Sequence, residues 1–283
     1  SSGGKNWNHH IHIDKNGNST VSSKGYQTKA NNKIIESGNR ASPLINVHNK
    51  NGSATSAHIH QFWQNFPKAF STEGDSLKIE LFPETPKSPY ELQGGEQKTH
   101  TVRLSLNSLD HPLRQVVTPL NVTLPLRHYY ITEALPGLPP EFTRTALDEI
   151  IDEGINGDNN FFIKRENADE YGWRNFGELW ADHETLEHGN DKTLVSHYNN
   201  QYDPIYGFFR QYIITGDYRW YELMDDLARH VIDIDIYHTD QDREEYNHGL
   251  FWHTDHYLDG QHCTHRTFSK THMTVNHVEQ SGG

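Results

Sequence analysis

The densest chemistry in this chain lies between residues 247 and 270, in the run NHGLFWHTDHYLDGQHCTHRTFSK. His253 and His256 are three apart, so on a helix they share a face. Gly260 is expected to break that helix. His262, Cys263, His265 and Arg266 follow within six residues. Imidazole titrates near neutrality and can take or give a proton. Arg266 offers a planar cation that can hold a carboxylate in a two-pronged way. His, Cys and Asp are also metal ligands, although their spacing here matches no specific zinc signature. A histidine-rich polar loop between helices is the bland alternative.

Two further clusters invite the same question. Ser196 to Pro204 (SHYNNQYDP) places His197, Asn199, Gln201, Tyr202 and Asp203 at the start of a strongly apolar helix. Asn or Gln there could help neutralise a carboxylate and Tyr could transfer a proton; capping and surface polarity are the plainer reading. Tyr171 to Glu184 (YGWRNFGELWADHE) sets the anchors Trp173, Phe176 and Trp180 among Arg174, Asn175, Asp182, His183 and Glu184. Asp182-His183-Glu184 could form an acid–base pair or hold a hard cation, or the segment is a structural network around buried tryptophan. In the first half, Glu96, Lys98 and His100 follow a glycine turn. His58 and His60 would share one face of a strand, as a ligand pair or as ordinary surface.

Much is excluded. There is no nucleophile elbow, HExxH helix, phosphate loop, dinucleotide fingerprint or CxxC pair. Cys263 is the single cysteine of 283 residues, so no internal disulfide framework exists. A formal charge of -13, from 25 basic and 38 acidic residues, argues against a nucleic-acid partner. No apolar run reaches the length of a membrane span. Of the 21 histidines, twelve fall between His183 and His277, and aromatic residues make up 11%. Imidazole and aromatic rings with Asn and Asp suit a cleft that stacks on a polar ligand and hydrogen-bonds its rim.

The elements that must position these residues change character along the chain. Residues 5–126 show short alternating runs: Ile11–Ile13, Ala57–His60, Ser76–Phe82 and Thr99–Leu106. Turn residues separate them, as in an antiparallel sandwich. The stretch 24–50 has poor periodicity and fits a long loop or weak strands. Pro125, Pro136, Pro139 and Pro140 mark a border. Beyond it the spacing predicts helices over 143–155, 197–215 and 218–237. Gly216 is expected to end the second of these and Asp217 to cap the third. Such a helical hairpin builds bundles, solenoids or α/α toroids alike.

Seven segments together resemble exo-acting rhamnogalacturonan lyases and their relatives: IHQFWQNFPKAF (59–70), LKIELFPE (77–84), GGEQKTHTVRL (94–104), YGWRNFGELWADHE (171–184), HYNNQYDP (197–204), TGDYRWYELMDDLARH (215–230) and GLFWHTDHYLDGQHCTHRTFSKTH (249–272). Related lyases in that group cleave rhamnosyl–glucuronate links of arabinogalactan-type gums. The resemblance implies an antiparallel β-sandwich over 1–126 and part of an α/α toroid over 127–283. It also implies a preceding β domain and later toroid helices, so the chain, which opens Ser1-Ser2-Gly3-Gly4, is expected to be a piece of a longer protein that is secreted or periplasmic.

The implied reaction is β-elimination at a uronate. A base removes the weakly acidic proton α to the carboxylate, whose charge must be offset by Arg, an amide, a protonated His or a calcium ion. The residues named for this are Arg266 on the carboxylate, His253 and His256 as acid and base, and His197 and Tyr202 on the opposite wall. Asn199, Gln201, Trp252, Tyr257, His262 and His265 are expected to bind substrate. No metal ligand set is assigned. The expected partner is an acidic polysaccharide or oligosaccharide, with neither nucleic acid nor membrane. Two alternatives stay open: a glycoside hydrolase working through paired carboxylates among Asp182, Glu184, Asp203 and Asp255, and a carbohydrate-binding module without turnover.

Overall fold

A computed structural model describes residues 24–48, 50, 52–74, 76–84, 92, 95–108, 113, 120–179, 202–242, 244 and 247–250. The chain forms two compact units. The first takes residues 1–119 together with 171–176; the second takes 120–170 and 177–283.

The first unit holds antiparallel strands in three small sheets. β1 (Tyr26–Ala30) and β2 (Lys33–Gly38) form a hairpin. Its two-residue turn, Asn31-Asn32, has positive φ at both positions (48° and 63°). That turn matches the natural twist of paired strands, and Asn tolerates it better than most residues. Of the two readings open for 24–50, a long loop or weak strands, the strands are what forms. The side chains of β1 and β2 are mostly exposed, which is why no alternation marks them.

β3 (Leu44–His48), β4 (Ala54–Ile59) and β7 (Val102–Ser108) make the second sheet, with β4 central. β4 is almost wholly buried, Ala57 and Ile59 completely. Val102, Leu104 and Leu106, expected to be half-buried, are exposed. They lie on β7, which among the described residues pairs on one side only, whereas β4 pairs on both.

β5 (Ala69–Glu73) and β6 (Ser76–Glu80) form the third sheet, and Leu77 and Ile79 are less exposed than Ser76 and Lys78, as period two predicts. At the start of β5, Phe62 stacks on Phe70 at 4.9 Å. Phe66, Tyr171 and Phe176 are buried together, with Trp63 against them. The backbone N–H groups of Gly172 and Trp173 donate to the carbonyls of Gln64 (2.7 Å) and Phe66 (2.9 Å). These bonds explain why 171–176 belongs with the strands.

The second unit is helical. α1 (Leu126–Thr132) follows Pro125 directly. Proline is well suited to a helix start, where its missing N–H costs nothing; the sequence reading took it only as a border. α2 (Ala146–Asn156) starts at Thr145, whose N–H donates to the Asp148 carboxylate at 2.7 Å. α3 (Phe161–Ala168) is capped by Asn160, which accepts from the Ile163 N–H at 3.0 Å. α4 (Pro204–Thr215) starts at Asp203, which accepts from the Tyr206 N–H at 3.2 Å. Gly216 ends it at φ 69°. α5 (Tyr218–His230) begins at Asp217, whose Oδ1 accepts from the Arg219 N–H at 3.0 Å, as the sequence indicated.

α5 is shorter than expected. At Val231 the helix widens into a π-helical turn, Val231–Asp235, closed by the Ile236 N–H donating to the Val231 carbonyl at 3.1 Å. The core of this unit is Ile155, Leu179, Phe208, Trp220, Leu223, Leu227 and Val231. Each such side chain contributes about 1.5–3 kcal/mol by burial. Phe208 packs edge-on to Phe161 and stacks on Trp220, with centroids 5.2 and 5.6 Å apart. Arg219 reaches back to the end of α2, donating to the Ile155 carbonyl at 3.0 Å, where a cation meets the negative pole of a helix. On α2 itself, Ile155 is buried, but Leu147 and Ile150, whose spacing of three puts them on one face, are exposed.

Candidate functional site

Trp220, Leu223 and Leu227 line the buried face of α5 at spacings of three and four, and so do Asp226 and His230. Two ionisable groups inside an apolar stripe demand partners, because an isolated buried charge costs several kcal/mol. The partners come from α3 and from the segment after residue 176.

Arg165 of α3 donates to Asp226 at 2.8 Å, with both side chains buried. Burial pushes the Asp226 carboxyl up to about 6 in spite of the arginine. Glu170 follows α3 and is 1% exposed. Burial, reinforced by the neighbouring Glu178 carboxylate, pushes it up to about 8, so it is largely protonated at neutral pH. Its Oε1 is buried and makes no hydrogen bond.

Glu178 is brought in by Gly177. Gly177 has φ 104°, and a Cβ there would lie 2.2 Å from the Asp226 carbonyl oxygen. Only glycine lets the backbone pass so close to α5. The next residue then places its Oε2 3.2 Å from His230 Nε2. Asp235, at the end of the π-helical turn, places its Oδ1 3.4 Å from the same nitrogen. Burial alone would depress His230, but the adjacent Asp235 and Glu178 carboxylates outweigh it and raise the imidazole to about 9. The result is a buried cluster of one imidazole and two carboxylates whose donor atoms all lie within 4.8 Å of one another. Such a set can hold a proton or a metal ion.

The first unit has its own buried cation. Lys68 Nζ is enclosed without a hydrogen bond and faces the Phe82 ring at 5.8 Å. Burial, with Lys98 nearby, pushes it down to about 7. Trp173 meets Phe82 edge-on at 5.4 Å, and His100 does so at 5.6 Å. Arg174 covers Trp173 and pairs with the buried Glu96 at 3.0 Å. Glu96, Lys98 and His100, singled out in the sequence, thus belong to one aromatic and charged constellation with Arg174. His58 is buried in β4, where burial and Arg103 across the strand pair lower its pKa.

Of the residues named for catalysis and substrate binding, Tyr202 alone is among those described. It is 71% exposed, one residue before the Asp203 cap of α4. His197, Asn199, Gln201, Trp252, His253, His256, Tyr257, His262, His265 and Arg266 lie outside the described residues, as do Asp182, His183 and Glu184. Glu170, Glu178, His230 and Asp235 stand in no sequence pattern that singles them out for chemistry. Asp226 and His230 were legible in principle, as polar residues at core positions of an amphipathic helix.

Comparison with models of protein families finds none that matches this chain, and comparison with curated proteins finds no match either. Among the described residues no helix is long and apolar enough to cross a membrane.

Proposed function

We propose that the chain is part of a polysaccharide lyase that cleaves uronate-containing plant or gum polysaccharides by β-elimination, at rhamnogalacturonan or rhamnosyl-glucuronate linkages. One observation carries the reading: segments that resemble such lyases, though far apart in sequence, are in mutual contact within each unit. In the first, 59–70 and 171–176 share backbone bonds and a tilted ring pair, Trp63 with Tyr171 at 4.8 Å, and Arg174 ties in 94–104 through Glu96. In the second, Gly177 and Glu178 meet Asp226 and His230 of the segment 215–230. A chance scatter of similar words would not need to converge in this way.

On this reading the strands of the first unit are part of a β-sandwich, and the α4–α5 hairpin is part of an α/α toroid. Arg266 would hold the uronate carboxylate, with His253 and His256 exchanging protons. His197, Tyr202, Asn199 and Gln201 would line the facing wall, and Trp252, Tyr257, His262 and His265 would bind the sugar. A calcium ion could share in offsetting the carboxylate charge. The protein would act outside the cytoplasm, secreted or periplasmic, on an acidic polymer.

The test is incubation of the full protein with rhamnogalacturonan and with a glucuronate-capped gum. Elimination gives a conjugated uronate that absorbs in the ultraviolet, and His256→Ala should abolish it. Products carrying an added water and no absorbance would replace the lyase with a hydrolase.

A further inference from the structure

Asp235 reaches His230 because the helix changes pitch between them. At about 100° per residue, an α-helix would turn residue i+5 some 140° away from residue i. The π-helical turn, with its i to i+5 bond from Ile236 to Val231, brings Asp235 Oδ1 to 3.4 Å from His230 Nε2 instead. Such turns are rare and concentrate at functional sites. Two costly local arrangements thus aim at one point, this turn and the positive-φ Gly177 that delivers Glu178.

We propose that Glu178, His230 and Asp235 bind one zinc-class divalent cation inside the helical unit, through Oε2, Nε2 and Oδ1. Two of the three spacings match a tetrahedral site. Nε2 is 3.2 Å from one carboxylate oxygen and 3.4 Å from the other, and the edges of a tetrahedron with bonds of 2.0–2.1 Å are about 3.3–3.4 Å. All three donor atoms lie within 4.8 Å of one another. The donor types fit as well. One imidazole and two carboxylates suit a borderline first-row cation, whereas calcium takes six to eight oxygens. The site is closed as well: the three side chains are at most 1% exposed.

Glu170 supplies an independent pointer. Its carboxyl is electrostatically coupled to both Glu178 and His230, and its buried Oε1 has no hydrogen-bond partner. It can serve as the outer acceptor for a water on the ion. The closed surroundings make this a structural ion rather than one that meets a polymer, so the inference does not depend on the lyase reading.

The test uses the full protein, purified without chelator and passed through gel filtration in imidazole to strip surface histidines of metal. One zinc per chain should remain. After exchange, cobalt(II) should show the intense visible bands of a four-coordinate nitrogen–oxygen site. Asp235→Asn and His230→Gln should each weaken zinc binding about a hundredfold, and added calcium should leave the zinc in place. A folded, unsubstituted protein whose cobalt spectrum lacks those bands overturns the proposal, whether or not the variants fold. So does a zinc content that Asp235→Asn leaves unchanged.

Discussion

Lys68 permits a prediction whose sign runs against ordinary expectation for a charged surface residue. Its ammonium is enclosed without a hydrogen bond, and its pKa falls from 10.5 to about 7. Below pH 7 the lysine is charged both folded and unfolded, and folding must desolvate that charge in full. Above pH 7 the folded state releases the proton while the unfolded chain keeps it until about 10.5, so stability rises with pH across that window. At 1.36 kcal/mol per pKa unit the penalty below pH 7 is on the order of 5 kcal/mol at most. The stem of Lys68 is partly exposed, and water reaching it would reduce this to about 2–3 kcal/mol. Lys68→Met should therefore raise stability by about 2–3 kcal/mol at pH 6.5, and the gain should shrink steadily toward pH 10. The assay is urea unfolding of both proteins at several pH values, followed by tryptophan fluorescence. Trp173, in edge contact with the ring that the ammonium faces, is a local reporter. A Lys68→Met protein that is less stable than the parent by the same amount at pH 6.5 and pH 9.5 would refute the reasoning, because the ammonium would then be making a favourable contact.

Other expectations concern the helical unit. Asp226→Ala should cost about 3–5 kcal/mol, because it strands the buried guanidinium of Arg165; the double change Arg165→Met with Asp226→Leu should recover most of that loss in chemical denaturation. Gly177→Ala should cost at least about 2 kcal/mol, since the new Cβ would meet the Asp226 carbonyl and φ is 104°; a melting temperature within 1–2 °C of the parent would show that the segment can shift.

Local signals in the sequence located several elements well. Gly216 and Asp217 mark the turn between α4 and α5 because a positive φ and a side-chain cap are properties of single residues. Period two found β6, where one face is partly covered. It failed at β1 and β2, where neither face is covered and no pattern is imposed. On α2, Leu147 and Ile150 have the right spacing and yet are exposed, because spacing fixes which residues share a face but not what lies against it. The end of α5 was placed too late, since Val231 to Asp235 continues the apolar rhythm and nothing local announces a change of pitch. The histidine-rich motifs drew attention because they are dense. The buried cluster is sparse: Glu178, His230 and Asp235 are separated by more than fifty residues at the widest, and only the meeting of Gly177 with α5 unites them.

The π-helical turn also bears on how this protein can tolerate change in length. A wide turn of this kind is equivalent to an α-helix with one residue too many. Deleting a single residue from the interval 231–234 would let ordinary α-helix run on from α5 and would restore its regular ladder of hydrogen bonds. It would also leave the aspartate four residues after His230, and on an α-helix residues four apart share a face. The wide turn thus takes up one extra residue without moving the aspartate off the face of His230, and a chain one residue shorter can keep the two side chains together.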